Sequence, residues 1–348
     1  MLGILPLNKL KEWNDFVWHH QYGSIYHTSH WFEVIKKTYE IQPVIFADFN
    51  DDIKAGIPFF LHHSSLKNKR LISITSAQSC NPLVNNADEL SELILFIKHY
   101  IKKNKISYFE IRTTNSFQFS IPKADRIVND FFSYLINLNN DYDAIAKGFH
   151  KSCIIRPLKK VMANKVDIID GSDSKSLKAF YHNYELMRKE HGLLPQPFNF
   201  FQNLVIYLAP LNNIEIKHAI YNDLIISSVI NLKYKDRYTY EYGATNKNFI
   251  SLHPSHLLIN HSIKNAIDQE YKIFDFGRTD SSNEGLQNFK QRWGGEKEYF
   301  NYYYFYSDPI HLKHKENLIR SSAPKIISHL PFRIYHSLGQ YIYKTVFR

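Results

Sequence analysis

One phrase occurs twice in this chain. Phe109-Glu110-Ile111-Arg112 in the first half is answered by Phe274-Asp275-Phe276-Gly277-Arg278 in the second. Each reads as an apolar strand that runs into charge. Each is preceded by an amphipathic helix. Further upstream lies a hairpin turning on Asn50-Asp51-Asp52 in one half and Asn222-Asp223 in the other. Asn and Asp tolerate the left-handed backbone that tight hairpin turns require. The landmarks keep nearly the same offset, which predicts two copies of one α/β unit and not a short-period solenoid.

Periodicity fills in the copies. Strands are predicted over 44–49 and 53–61, then a helix with Leu90, Leu93, Ile94, Ile97 and Ile101 on one face, then a strand over 107–112. The second half repeats this with strands over 214–221, 224–234 and 237–243, a helix over 254–270 opened by Pro254, and a strand over 272–276. Tyr242 and Glu241 end the central strand of this copy, and strict alternation predicts that they face opposite sides. Two further helices are expected near Trp13 and Trp31.

The chain has 348 residues, 44% hydrophobic and 15% aromatic, enough for two large cores. Its net charge of +10 favours an anionic partner. Two cysteines without a CxxC pair fit a reducing compartment. The first twenty residues hold Lys9, Lys11, Glu12 and Asp15 and no apolar run, so no signal peptide is expected. No segment reaches the ~18 apolar residues that span a bilayer. A cytoplasmic protein is the expectation, with any membrane contact peripheral and at the inner face. His27/His30, His253/His256 and His311/His314 have helical spacing but no cysteine or carboxylate at ligand spacing, so no metal is expected. Asp275-Phe276-Gly277 lacks the other segments of a kinase.

Four stretches resemble the Fem-type aminoacyltransferases and the tandem acetyltransferase-like (GNAT) superfamily around them. They are Ile154-Ile155-Arg156-Pro157-Leu158-Lys159-Lys160; Tyr240-Glu241-Tyr242-Gly243-Ala244; His253-Pro254 before Leu257 and Leu258; and 274–278 with Gly285-Leu286, Phe289-Lys290 and Trp293-Gly294. Trp31 resembles the family's N-terminal helix. Bridge-forming members carry a phosphate-contacting lysine one turn after that tryptophan. Here that position is Ile35, followed by Lys36 and Lys37. The long coiled-coil arm of some members has no counterpart in a heptad run. The resemblance therefore points to the branch associated with envelope polysaccharides.

The resemblance implies an α/β (α+β) fold of two tandem GNAT-like domains with mixed central sheets, over 1–140 and 141–310, plus a basic tail over 311–348. It implies an acyltransferase that moves an aminoacyl or acyl group onto an amine or hydroxyl of a cell-envelope glycan or lipid-linked intermediate. Such chemistry needs a proton acceptor and stabilisation of a tetrahedral oxyanion. Tyr242, Glu241, His191 and His253 are the candidate catalytic residues; Arg156, Arg278, Lys290, Trp293 and Lys36 are the candidate substrate contacts. The segment 242–254 holds Gly243 and no further glycine, unlike the glycine-rich loop that cradles the pyrophosphate of coenzyme A. Aminoacyl-tRNA is therefore the expected donor, and no resident cofactor is expected. A coenzyme A-dependent N-acyltransferase acting on an amino sugar and a non-catalytic tRNA- or glycan-binding module remain open.

The tail carries seven Lys or Arg against Glu316 alone. Ile334, Leu338, Tyr341, Ile342 and Thr345 share one helical face; His336, Gln340 and Lys344 share the other. This pattern fits either an anionic membrane surface or a helix packed on the domain.

Overall fold

The computed structural model describes residues 1–63, 69–308 and 326–347. In chain order these form β1 (Leu2–Ile4), α1 (Leu10–His19), α2 (Ser29–Tyr39), β2 (Pro43–Phe49), β3 (Ile53–His63), β4 (Lys69–Ser73), α3 (Ala87–Lys103), β5 (Ile106–Thr114) and β6 (Arg126–Asn137). There follow α4 (Tyr142–Ala146), α5 (Arg156–Ala163), β7 (Asp167–Asp170), α6 (Ser174–Glu190), α7 (Phe198–Leu208), β8 (Ile214–Tyr221), β9 (Leu224–Tyr234) and β10 (Arg237–Thr245). The chain continues through α8 (Pro254–Asp268), β11 (Ile273–Asp275), β12 (Thr279–Asp280), α9 (Glu284–Gln291), β13 (Glu296–Tyr306) and α10 (Phe332–Phe347).

Two compact units emerge. The first holds residues 1–131, 298–308 and 341–347; the second holds 132–297 and 326–340. Strand order in the first is β1-β2-β3-β4-β5-β13, and in the second β7-β8-β9-β10-β11-β6. The pairing senses match step for step. Each neighbour is antiparallel except the fourth and fifth strands, β4–β5 and β10–β11, which are parallel. Both copies thus have a mixed sheet with the same topology.

Two details were not visible in the sequence. The first copy has the third strand, β4, that periodicity supplied only for the second. The sixth strands are also exchanged along the chain: β6 follows β5 yet pairs with β11, and β13 follows β11 yet pairs with β5. Residues 298–306, expected within the second domain, therefore complete the sheet of the first unit.

The predicted amphipathic helices do seal the cores. Asn86 caps α3 by accepting from Glu89 N at 2.9 Å, with Asp88 and Glu89 in the first turn and Lys102 and Lys103 in the last. Its five apolar residues are buried against Phe46, Phe59, Phe109 and Phe305. In the second unit Ile259, Ile263 and Ala266 of α8 pack on Tyr238, Phe274, Phe276 and Trp293. Each such large side chain stabilises by roughly 2 kcal/mol when removed from water. Among the described residues no helix is long and apolar enough to cross a membrane.

Candidate active site

In the sheet of the second unit, β10 and β11 part early. β10 and β11 are paired only from Arg237↔Ile273 to Thr239↔Asp275. β11 then ends, while β10 continues to Thr245. On the β9 side the ladder slips between Tyr240 and Tyr242, so Glu241 is the extra residue of a bulge. The bulge removes the simple alternation expected for Glu241 and Tyr242. Chain leaving β11 turns at Gly277, whose φ of +70° is left-handed, and a Cβ there would lie 2.7 Å from Tyr240 O. Glycine is required by both the angle and the approach.

Charged groups converge on this gap. Asp275 is 1% exposed. It accepts from Gly277 N at 2.8 Å and from Ser133 Oγ, and pairs with Arg237 Nη1 at 3.0 Å. Lys290, on the last turn of α9, is 4% exposed and donates to Gly277 O at 2.7 Å and Arg278 O at 3.3 Å. Burial drives its ammonium down to about 7; Asp275 and Glu241 oppose the shift, and Arg278 adds to it. Lys290, Glu241, Asp275 and Arg278 therefore share one electrostatic environment. The Arg278 side chain itself is exposed.

Tyr242 is half-buried, with its ring against those of Tyr184 on α6 and Phe200 and Phe201 on α7, at 6.4, 5.9 and 5.3 Å between centroids. Tyr240 is held behind Gly243, and burial pushes its phenol up to about 12.

A second group sits where α8 begins. No glycine loop precedes it; a 3-10 turn over Lys247–Leu252 leads into His253, whose φ of 55° makes a left-handed N-cap. Pro254 has no N–H, and His256 N and Leu257 N both turn back to His253 O. Little of this helix start is left to cradle a pyrophosphate. α5 packs against α8, so that Lys160 reinforces the lowering of the His253 pKa by burial. His256 lies 5.4 Å from His253 between ring centroids and accepts burial at the cost of basicity: its pKa falls to about 4, through desolvation first and His253 second.

The other candidates lie elsewhere. Trp293 is 1% exposed, among Phe149, Phe276, Phe289 and His256, which makes it a wall of the core. Arg156 is exposed at the first position of α5. His191 is exposed and caps the end of α6. Lys36 belongs to the first unit and pairs with Glu33 at 3.0 Å. Sequence reasoning missed His256, Arg237 and the Tyr184–Phe200–Phe201 cage. Only His256 had left a signal, in its helical spacing from His253.

The first copy closes the matching strand end. Aligning the repeated phrase puts Arg112 opposite Gly277. Arg112 Nη1 donates to Ile74 O and Ala77 O at 3.2 and 2.9 Å, its Nε pairs with Glu110 at 2.6 Å, and it stacks on Tyr302 at 4.8 Å. An arginine fills the first copy where a glycine opens the second.

Among the described residues no cluster of His, Cys, Asp or Glu is placed to hold a metal ion. Cys80 and Cys153 are free thiols.

Residues 155–291 match the family model of the acetyltransferase (GNAT) domain. No curated protein matches the sequence. Among solved structures, FemX superposes with a TM-score of 0.71 at 15% identity, over 89% of this chain and 98% of that one. A tandem GNAT protein from the clavulanic acid biosynthesis pathway gives 0.56 at 7% identity, over 89% and 99%. The C-terminal domain of an Agrobacterium fabrum protein named as a lysylphosphatidylglycerol synthetase gives 0.54 at 10% identity, over 88% and 95%. With the matching strand order of its two units, the chain has a tandem GNAT-like fold similar to that of FemX, and its residues 155–291 match the GNAT domain model.

Proposed function

We propose that this protein is an acyltransferase whose site is the open end of β10 and β11, and that it moves an aminoacyl group from tRNA to an amine or hydroxyl of an envelope glycan or lipid-linked intermediate. The observation that carries the reading is Lys290, a buried lysine that donates to Gly277 O at 2.7 Å beside the β10 bulge, where burial drives its pKa down to about 7 against the opposing charges of Asp275 and Glu241. A general base works best when its pKa lies near the working pH.

In this reading the acceptor's nitrogen or oxygen attacks the acyl carbonyl, and its proton passes to neutral Lys290. The Tyr242 hydroxyl donates to the oxyanion as the tetrahedral intermediate forms. The ester bond to the tRNA terminus then breaks, and the leaving oxygen takes a proton back. Arg278 offers charge to donor phosphates, and His253, its pKa lowered by burial, is a second proton acceptor at the start of α8. Tight turns at Lys247–Leu252 and His253, where a coenzyme A enzyme would carry its glycine loop, favour the bulkier donor. The likeness to a structure named as a lysylphosphatidylglycerol synthetase supports a lipid-linked acceptor, which would put the protein at the inner face of the membrane.

Incubating the purified protein with charged tRNA and, separately, with acetyl-CoA, and following donor consumption, tests this. Discharge of the tRNA with no saturable coenzyme A binding is expected. Turnover of acetyl-CoA at micromolar affinity would assign the site to the other donor, and consumption of neither would favour a binding module.

A further inference from the structure

Residues 144–166 carry Lys147, Lys151, Arg156, Lys159, Lys160 and Lys165 and no Asp or Glu. All six side chains are exposed. Among the described residues none of the six forms an ion pair. They lie on one continuous piece of the second unit, centred on a π-helical turn over Lys151–Ile155 that runs into α5. In α5, Leu158 and Val161 are buried, while Arg156, Lys159 and Lys160 share the opposite, outward face at i, i+3 and i+4 spacing. Three cations thus stand within about 6 Å of helix axis.

The sequence also fixes this piece in place. Pro157 has no N–H, so Cys153 O, four residues back, has no helical donor. His256 Nε2 donates to that oxygen at 3.1 Å. The His256 ring lies in turn 5.3 Å from that of Phe289, which precedes Lys290 on α9. One histidine therefore ties the basic surface to the helix that carries the candidate base.

We propose that the outward face of α5 and of the turn before it docks the sugar–phosphate backbone of an RNA. The proposal rests on the reading in which the acyl donor is a tRNA, and adds where that RNA is held. A row of exposed cations binds a phosphate chain by displacing its counterions, without reading base sequence. A lipid surface fits less well, because helices that lie on membranes add apolar side chains to their charge. Over 144–166, Met162 is the only large apolar side chain that is exposed, and Phe149, the one Phe, Tyr or Trp there, is buried.

The test is the binding of uncharged tRNA to the full chain at several salt concentrations. Steep weakening by salt is expected. Arg156→Gln/Lys159→Gln/Lys160→Gln should bind about tenfold or more weaker, with the slope of log affinity against log salt shallower by about 2–3. Lys54→Gln/Lys102→Gln/Lys103→Gln removes the same charge from exposed positions of the first unit and should bind as the wild type does. Both variants should keep the wild-type melting temperature, since every altered side chain is exposed. Wild-type binding by the α5 variant, an equal loss in the control, or no binding of tRNA at all would overturn the proposal. So would co-sedimentation with phosphatidylglycerol vesicles that the α5 variant loses while it still binds tRNA, since that would give the face to lipid. Following the discharge of charged tRNA in parallel keeps the two readings apart. A tRNA held through α5 but never discharged would uphold this surface and end the donor reading; discharge by a protein whose α5 variant binds tRNA normally would do the reverse.

Discussion

Arg237 Nη1 lies 3.0 Å from Asp275 Oδ2, so the buried carboxylate that ends β11 has a cation on β10, across the parallel pair. Removing that partner leaves Asp275 with Ser133 and Gly277 N as hydrogen-bond donors but strips away the Arg237 charge. Arg237→Ala is expected to cost about 2–3 kcal/mol in urea unfolding, less than a fully buried pair because the arginine is partly exposed.

Arg278 is expected to behave differently, since its side chain is exposed. Arg278→Ala should leave the melting temperature within a degree or so of wild type while lowering turnover about ten- to a hundredfold, the equivalent of one charged phosphate contact realised in the transition state. A large drop in melting temperature would make it a structural residue instead.

Gly277→Ala combines a left-handed φ of +70° with a Cβ 2.7 Å from Tyr240 O. Strain of about 1–3 kcal/mol is expected, and relief would require the loop to move off the bulge. Thermal unfolding and activity should therefore fall together in this variant.

Tyr242 separates packing from chemistry. Tyr242→Phe keeps the ring against Tyr184, Phe200 and Phe201 and should cost at most about 1 kcal/mol of stability. Its turnover should drop about a hundredfold if the hydroxyl serves the oxyanion. Tyr242→Ala should also lose stability, by about 3 kcal/mol, because the cage empties. Equal activity of the Phe variant and wild type would remove the hydroxyl from the mechanism.

The repeated phrase and the hairpin turns made the duplication legible, because helix and strand periods are local. β4 was not legible: Lys69-Arg70-Leu71-Ile72-Ser73 opens with two cations and has only two large apolar residues. The exchange of β6 and β13 depends on pairing between distant segments, which no local pattern encodes. At the site, Gly277 and Lys290 were visible as a motif. The bulge at Glu241 was not, since alternation assumes an unbroken ladder. Nor was Arg237 as the partner of Asp275, because strand register and not distance along the chain sets that contact.

Lys290 carries the account, and its titration can be read without knowing the substrate. Its folded pKa lies below the ordinary lysine value of 10.5. Between about 7 and 10.5 the unfolded chain therefore binds a proton that the native protein lacks, and this group makes stability rise with pH across that window. Above pH 7 the amine is free to accept the acceptor's proton, so activity should climb through the same midpoint. Lys290→Met and Lys290→Arg should both abolish the climb, since a guanidinium cannot act as a base at this pH. The most direct measurement is a side-chain NMR titration of Lys290, assigned by comparison with Lys290→Met. A midpoint near 7 is the predicted result; a lysine that stays protonated to pH 10 would contradict its role as the base.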